Sequence, residues 1–89
     1  MYLIMVYDVG VERVAKVLKT GRKYLTHVQN SVLEGEITPN KFKRLQKELT
    51  DIINKRHDTV MFYTLQSDKL ITKKRLGIAT NDPNEVIFE

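Results

Sequence analysis

The chain has 89 residues, a formal net charge of +4 and no cysteine. Disulfides, thiolate metal sites and cysteine nucleophiles are therefore excluded, and the length suits one domain over 1–89, too small to bury a large core alone. No apolar run approaches the ~20 residues that span a bilayer and no stretch reads as a signal peptide, so we expect a cytoplasmic protein that gains burial by dimerisation and whose basic balance suits a polyanion such as nucleic acid.

The chain opens on Tyr2-Leu3-Ile4-Met5-Val6-Tyr7-Asp8, an apolar run closed by one carboxylate. Its Ile, Val and Tyr content, followed by Val9-Gly10, predicts a buried strand with a turn after it. Alternation puts Ile4, Val6 and Asp8 on one face and Leu3, Met5 and Tyr7 on the other. An acid at the mouth of a central strand suits metal binding or acid–base chemistry. The same residue could also end the strand or cap the helix that follows.

Val11, Val14, Val17 and Leu18 then recur at helical spacing, with Glu12, Arg13, Lys16 and Lys19 between them and Gly21 as the stop. The polar face of this helix is mostly cationic, either solvated or set to meet phosphates. The stretch 24–37 carries Leu25, Val28, Val32, Leu33 and Ile37 among polar residues. It is long for one strand and either bends near Asn30-Ser31 or folds back as a hairpin, with Gly35 as a bulge or a turn.

Thr38 is a good N-cap and Pro39 suits a first helical turn. Phe42, Leu45, Leu49, Ile52 and Ile53 continue at helical spacing, which predicts a helix ending near Lys55. A second near-continuous apolar strand over 59–65 reads as covered on both faces. Ser67-Asp68 is a turn, 73–79 a further strand and Asn81-Asp82-Pro83-Asn84 a loop. Val86-Ile87-Phe88 is too short to stand alone and must add to a sheet edge, its own or a partner's.

That order predicts an α+β, ferredoxin-like split βαβ plan: two helices on one face of a small antiparallel sheet. The other face, shared by Ile4, Val6 and Asp8, is open unless a second copy covers it.

No phosphate loop, Rossmann glycine pattern or zinc-ligand cluster is present. His57-Asp58 could form an acid–base pair, but a loop residue ahead of a strand is the simpler reading, and His27 reads as structural. Ser31 has no general base nearby in sequence. Asp8 remains. A lone carboxylate is a poor Mg²⁺ site, although two-fold symmetry could bring a second one to it.

The opening YLIMVYD, the basic first helix and VQNSVLEGEIT ahead of an amphipathic helix together resemble the small CRISPR-associated endonuclease family. This is the second, non-integrase subunit of the spacer-acquisition complex, and the resemblance covers nearly the whole chain. It implies a homodimer in which the last strand, within a bridging tail over 81–89, reaches across to the partner's sheet. It implies Asp8 as the metal-binding acid, one per protomer, with Mg²⁺ as cofactor and Ser31 as the family's serine near that acid. Activity would be cleavage of single-stranded RNA or double-stranded DNA. The dimer would also bridge CRISPR integrase subunits and hold protospacer DNA through Arg13, Lys16, Arg22 and Lys23. Leu33 stands where the family usually has Phe, and the first helix is less basic than in many members, since Glu12 and Ala15 take positions that could have been Arg or Lys. A non-catalytic nucleic-acid-binding scaffold and a toxin-type ribonuclease of the same fold are the alternative readings.

Overall fold

The alternation of the opening run is realised in β1 (Tyr2–Asp8), where Leu3, Met5 and Tyr7 are buried and Ile4 and Val6 are half-exposed. The computed structural model describes residues 1–67 and 69–78. After β1 come α1 (Val11–Gly21), β2 (Thr26–Gln29), β3 (Val32–Glu36), α2 (Pro39–Ile52), β4 (Thr59–Gln66) and β5 (Lys69–Gly77). The strands form one sheet in the order β2-β3-β1-β4-β5 with every neighbouring pair antiparallel. Inserting β3 between β1 and β2, and β1 between β3 and β4, is the split βαβ arrangement expected from the sequence.

The core lies between the helices and one face of the sheet. Leu3, Met5, Leu33, Val60 and Phe62 from the strands meet Val17, Leu45 and Leu49 from the helices, all at 0% exposure. Phe42 of α2 meets the Phe62 ring edge-on, with centroids 5.1 Å apart. Helix α2 begins as its sequence predicts: the Thr38 hydroxyl accepts the Lys41 N–H at 3.2 Å, and Pro39 fills the first turn. It ends at Ile52, before the expected Lys55, because Ile53 adopts an extended backbone with φ −74° and ψ 157°.

Three expectations are corrected or decided. The stretch 24–37 is a hairpin, β2 to β3, turning through Asn30 at φ 32°. Its irregularity falls between His27 and Gln29, whereas Gly35 lies within β3 opposite Leu3. Strand β4 is buried on one face only: Val60, Phe62 and Thr64 are buried while Met61, Tyr63 and Leu65 are half-exposed. Near-continuous apolar sequence there reflects an uncovered second face, not a helix on each side. Strand β5 starts at Lys69, earlier than expected, because Lys69 and Leu70 pair with Gln66 and Leu65 of β4, while Leu70 and Ile71, the latter at a register shift, remain more than half exposed (55% and 56%). The 81–89 tail with Val86-Ile87-Phe88 lies outside the described residues.

Among the described residues, no helix is long and apolar enough to cross a membrane.

Candidate functional site

Asp8 is the last residue of the central strand. It pairs across β1–β4 with Thr59 and is exposed on the sheet face away from the helices. Among the described residues, no hydrogen bond or ion pair occupies its carboxylate. It does not cap α1: the N-cap is Gly10, with no side-chain bond to the helix. Ser31 comes to the same strand end through its main chain, its carbonyl accepting the Tyr7 N–H at 3.0 Å. The hairpin tip thus closes beside the mouth of β1. A hollow lined by Met1, Tyr2, Glu36 and Leu65 lies at the opposite end of the strand and takes no part in this site.

The residue that shapes the strand mouth is Asp58, which the sequence offered only as a loop acid or a partner of His57. Asp58 is fully buried, directly ahead of Thr59. Its Oδ1 accepts the Gly10 N–H at 2.8 Å and Nη2 of Arg13 at 2.9 Å. Its Oδ2 accepts Nε of Arg13 and the Asn54 N–H at 2.8 Å. The Arg13 guanidinium and these two backbone N–H groups hold the Asp58 carboxyl far below the usual carboxylate range, outweighing the effect of burial. His57, its sequence neighbour, is exposed and is not its partner. His27 bridges the hairpin, with Nε2 2.7 Å from the Asn30 carbonyl.

The four expected cationic contacts separate into two kinds. Arg13 is turned onto Asp58, and its Nη1 also reaches Glu12 Oε1 at 2.6 Å. Lys23 donates to Glu48 of α2 at 2.5 Å, and the Tyr24 hydroxyl shares that carboxylate. This Lys23 bond, with Tyr24 second, lowers the Glu48 pKa, while Glu48 raises that of Lys23. Lys16 and Arg22 are exposed, and with Lys19, also exposed, they form a stripe three residues apart along α1.

The donor set at Asp8 is a hard carboxylate oxygen open to solvent, which suits Mg²⁺ with most of its shell left to water. Among the described residues, no three His, Cys, Asp or Glu side chains converge as a metal cage.

The model of the family described as CRISPR associated protein Cas2 matches residues 1–72. The chain belongs to the Cas2 family. It is 49% identical over 87 residues to a Dictyoglomus turgidum protein named CRISPR-associated endoribonuclease Cas2, covering 98% of this chain and 100% of that one. A Thermotoga maritima protein of the same name is 51% identical over 78 residues, covering 88% of this chain and 90% of the relative. Among solved structures, Streptococcus pyogenes Cas2 at pH 6.5 matches with a TM-score of 0.69 and 36% identity, over 74% of this chain and 87% of that one. The resemblance read from YLIMVYD and VQNSVLEGEIT is borne out as family membership, and the ferredoxin-like fold with it.

Proposed function

We propose that this Cas2-family chain is a metal-dependent endonuclease of CRISPR adaptation, acting in the cytoplasm as a homodimer with Asp8 as the metal-binding acid. The observation that carries this reading is the placement of Asp8: an exposed carboxylate with no partner among the described residues, at the end of the central strand of the sheet. A carboxylate fixed on a central strand has little freedom to lose when it takes a ligand, which favours a preorganised site.

Asp8 and the Asp8 of a second copy would hold the Mg²⁺, and the two carboxylates with waters make the kind of oxygen set that ion prefers. Bound there, Mg²⁺ would supply charge neutralisation at the scissile phosphate and a lowered pKa for an attacking water. Asp8 contributes negative charge and orientation. Ser31, at the hairpin tip, contributes its hydroxyl to holding the phosphate near the strand mouth. Lys16 and Arg22, with Lys19 beside them and Lys23 at the end of the stripe, contact the nucleic-acid backbone. Arg13 lies on the same helix with its guanidinium directed inward.

The dimer reading draws support from the open face of the sheet. Ile4, Val6, Val32, Met61, Tyr63 and Leu65 present half-exposed apolar surface there, continuous with Asp8. Covering it with the same face of a second copy is an isologous contact that brings the two Asp8 residues towards one axis. The 81–89 tail is assigned to the partner's sheet edge, and the dimer is assigned to a complex with a CRISPR integrase subunit on protospacer DNA.

The relatives' names specify an endoribonuclease, so single-stranded RNA is the first substrate to try and double-stranded DNA the second. Cleavage by wild type and Asp8→Asn is measured with Mg²⁺ and with EDTA. Wild-type cleavage that needs Mg²⁺ and is lost in Asp8→Asn supports the reading. Equal cleavage by both, or none by either on both substrates, defeats it and leaves a non-catalytic nucleic-acid-binding scaffold.

A further inference from the structure

Asp58 ties together segments that are far apart in the chain. Its two oxygens take four donors from three segments: the Gly10 backbone after β1, the Arg13 side chain in the first turn of α1 and the Asn54 backbone after α2. Its own carbonyl accepts the Ile78 N–H at 3.0 Å, so the end of β5 is fastened to the same residue. Buried ion pairs give little net stability compared with apolar packing of the same volume. What such a pair does supply here is one definite arrangement of segments.

That arrangement bears on Asp8. A strand's last residue is where pairing gives out, and on the β3 side the registered pairs stop at Val6–Val32. On the β4 side Asp8 is held by Thr59, and beyond Asp8 the next fastened backbone group is the Gly10 N–H, bonded to Asp58 at 2.8 Å. Ahead of Asp8 the Tyr7 N–H is held by the Ser31 carbonyl, and the two restraints at and beyond Asp8 pass through the dipeptide Asp58-Thr59. Asp58 lies buried among the helix ends, while Asp8 faces the open side of the sheet.

We infer that Asp58 and Arg13 are positioning residues for Asp8, a fixed ionic clamp that sets the strand mouth, and that Arg13 is not a phosphate contact. This rests on the reading of Asp8 as the metal-binding acid. Arg13 orients the Asp58 carboxylate with two bonds from its planar guanidinium, a geometry that lysine cannot reproduce.

The test uses the full chain with Arg13→Gln, Arg13→Lys, Asp58→Asn and the pair Arg13→Gln/Asp58→Asn, beside Asp8→Asn. Three experiments are run: kinetics of RNA cleavage in Mg²⁺ for kcat and KM, the salt dependence of RNA binding, and backbone amide exchange at Val9 and Gly10. Supporting residues behind a metal ligand typically contribute about 10- to 100-fold, so Arg13→Gln and Asp58→Asn should each lower kcat by that range. KM and the salt slope should stay as in wild type, and Gly10 exchange should quicken. The double variant should lose no more than either single one, and Arg13→Lys should recover part of kcat. A raised KM with a flatter salt slope in Arg13→Gln would assign Arg13 to phosphate and overturn the inference. Unchanged kcat and unchanged Gly10 exchange would overturn it as well. Should Asp58→Asn not fold, Arg13→Gln decides, since that side chain lies at the rim of the clamp. A wild type that cleaves nothing defeats the nuclease reading, and Gly10 exchange in Arg13→Gln then still decides the clamp.

Discussion

Ser31 touches the end of β1 through its main chain: its carbonyl accepts the N–H of Tyr7, one residue short of Asp8. Removing the hydroxyl leaves that bond in place. Ser31→Ala should therefore shift stability by no more than about 0.5 kcal/mol, as for a surface change away from special features. If the hydroxyl serves the phosphate as proposed, cleavage should fall about 10-fold, at the lower end of the range for a supporting polar group. Denaturant midpoint and turnover, measured side by side, check both halves. Unchanged turnover would confine Ser31 to its backbone role.

Asp58 predicts an acid-dependent stability of definite sign. Its pKa is lowered in the fold, so its stabilisation is complete above the ordinary carboxylate value of about 3.9 and is lost as pH falls from there towards the lowered value. Wild type should lose stability through that strongly acid window. Asp58→Asn should be weaker at neutral pH by about 3 kcal/mol, since a buried pair is broken from one side, and its acid limb should be flatter. Urea titrations from pH 7 down to pH 3 would reveal it. Parallel curves for the two proteins would contradict this account.

The stripe Lys16, Lys19 and Arg22 predicts steep salt dependence of nucleic-acid binding. Each phosphate contact removed by Lys16→Ala or Arg22→Ala should reduce the slope of log affinity against log salt by about 0.9 for duplex DNA. Lys23→Ala should reduce it less, because Glu48 already shares that ammonium. Filter binding at several salt concentrations gives the slopes. Equal slopes for all variants would remove α1 as the binding face.

Gly77 predicts a severe local defect. It sits at φ +100°, and a Cβ there would lie 1.9 Å from the Asp58 carbonyl oxygen. That contact is with backbone, which cannot swing aside as a flexible side chain would. Gly77→Ala should destabilise by about 2–4 kcal/mol, through left-handed strain together with displacement of β5 from β4. A thermal or urea midpoint close to wild type would show that β5 can shift without loss.

The proposed tail contact is checked by truncation. Deleting 86–88 should raise the dimer dissociation constant about ten-fold or more if those residues complete the partner's sheet edge. Light scattering over a dilution series reads this directly. An unchanged dimer would show that the tail serves its own protomer.

Local signals were legible and distant ones were not. The cap at Thr38, the two-residue alternation of Leu3, Met5 and Tyr7, and the helical stripe Phe42, Leu45 and Leu49 are set by neighbours within a turn or two, and each appears as expected. Asn30, a residue that tolerates positive φ, marked the place where the hairpin turns, although composition alone did not separate a turn from a bend. Asp8 was legible as a position and became a functional candidate through resemblance. Asp58 was not legible: it looked like a loop acid ahead of an apolar strand, while its partners Gly10 and Arg13 lie 48 and 45 residues away. The inward commitment of Arg13 was hidden for the same reason, since its spacing on α1 matches that of the exposed cations. An acid standing directly before a buried strand, with an arginine on the helix after the opposing strand, is the pattern that could have raised the question.

The position of β1 in the sheet also sets the order in which the protein can be completed. β1 is made before the other described strands and helices, yet both of its hydrogen-bonding edges belong to strands made later: β3, and then β4. During synthesis, the most apolar stretch of the chain must wait on the ribosome without its neighbours, a demanding interval for a non-local sheet. Asp8 in particular meets Thr59 only after the whole of α2 has emerged. The acid at the head of the chain is thus among the last parts of the molecule to acquire its surroundings, so a nascent chain carries the residue long before it carries the site.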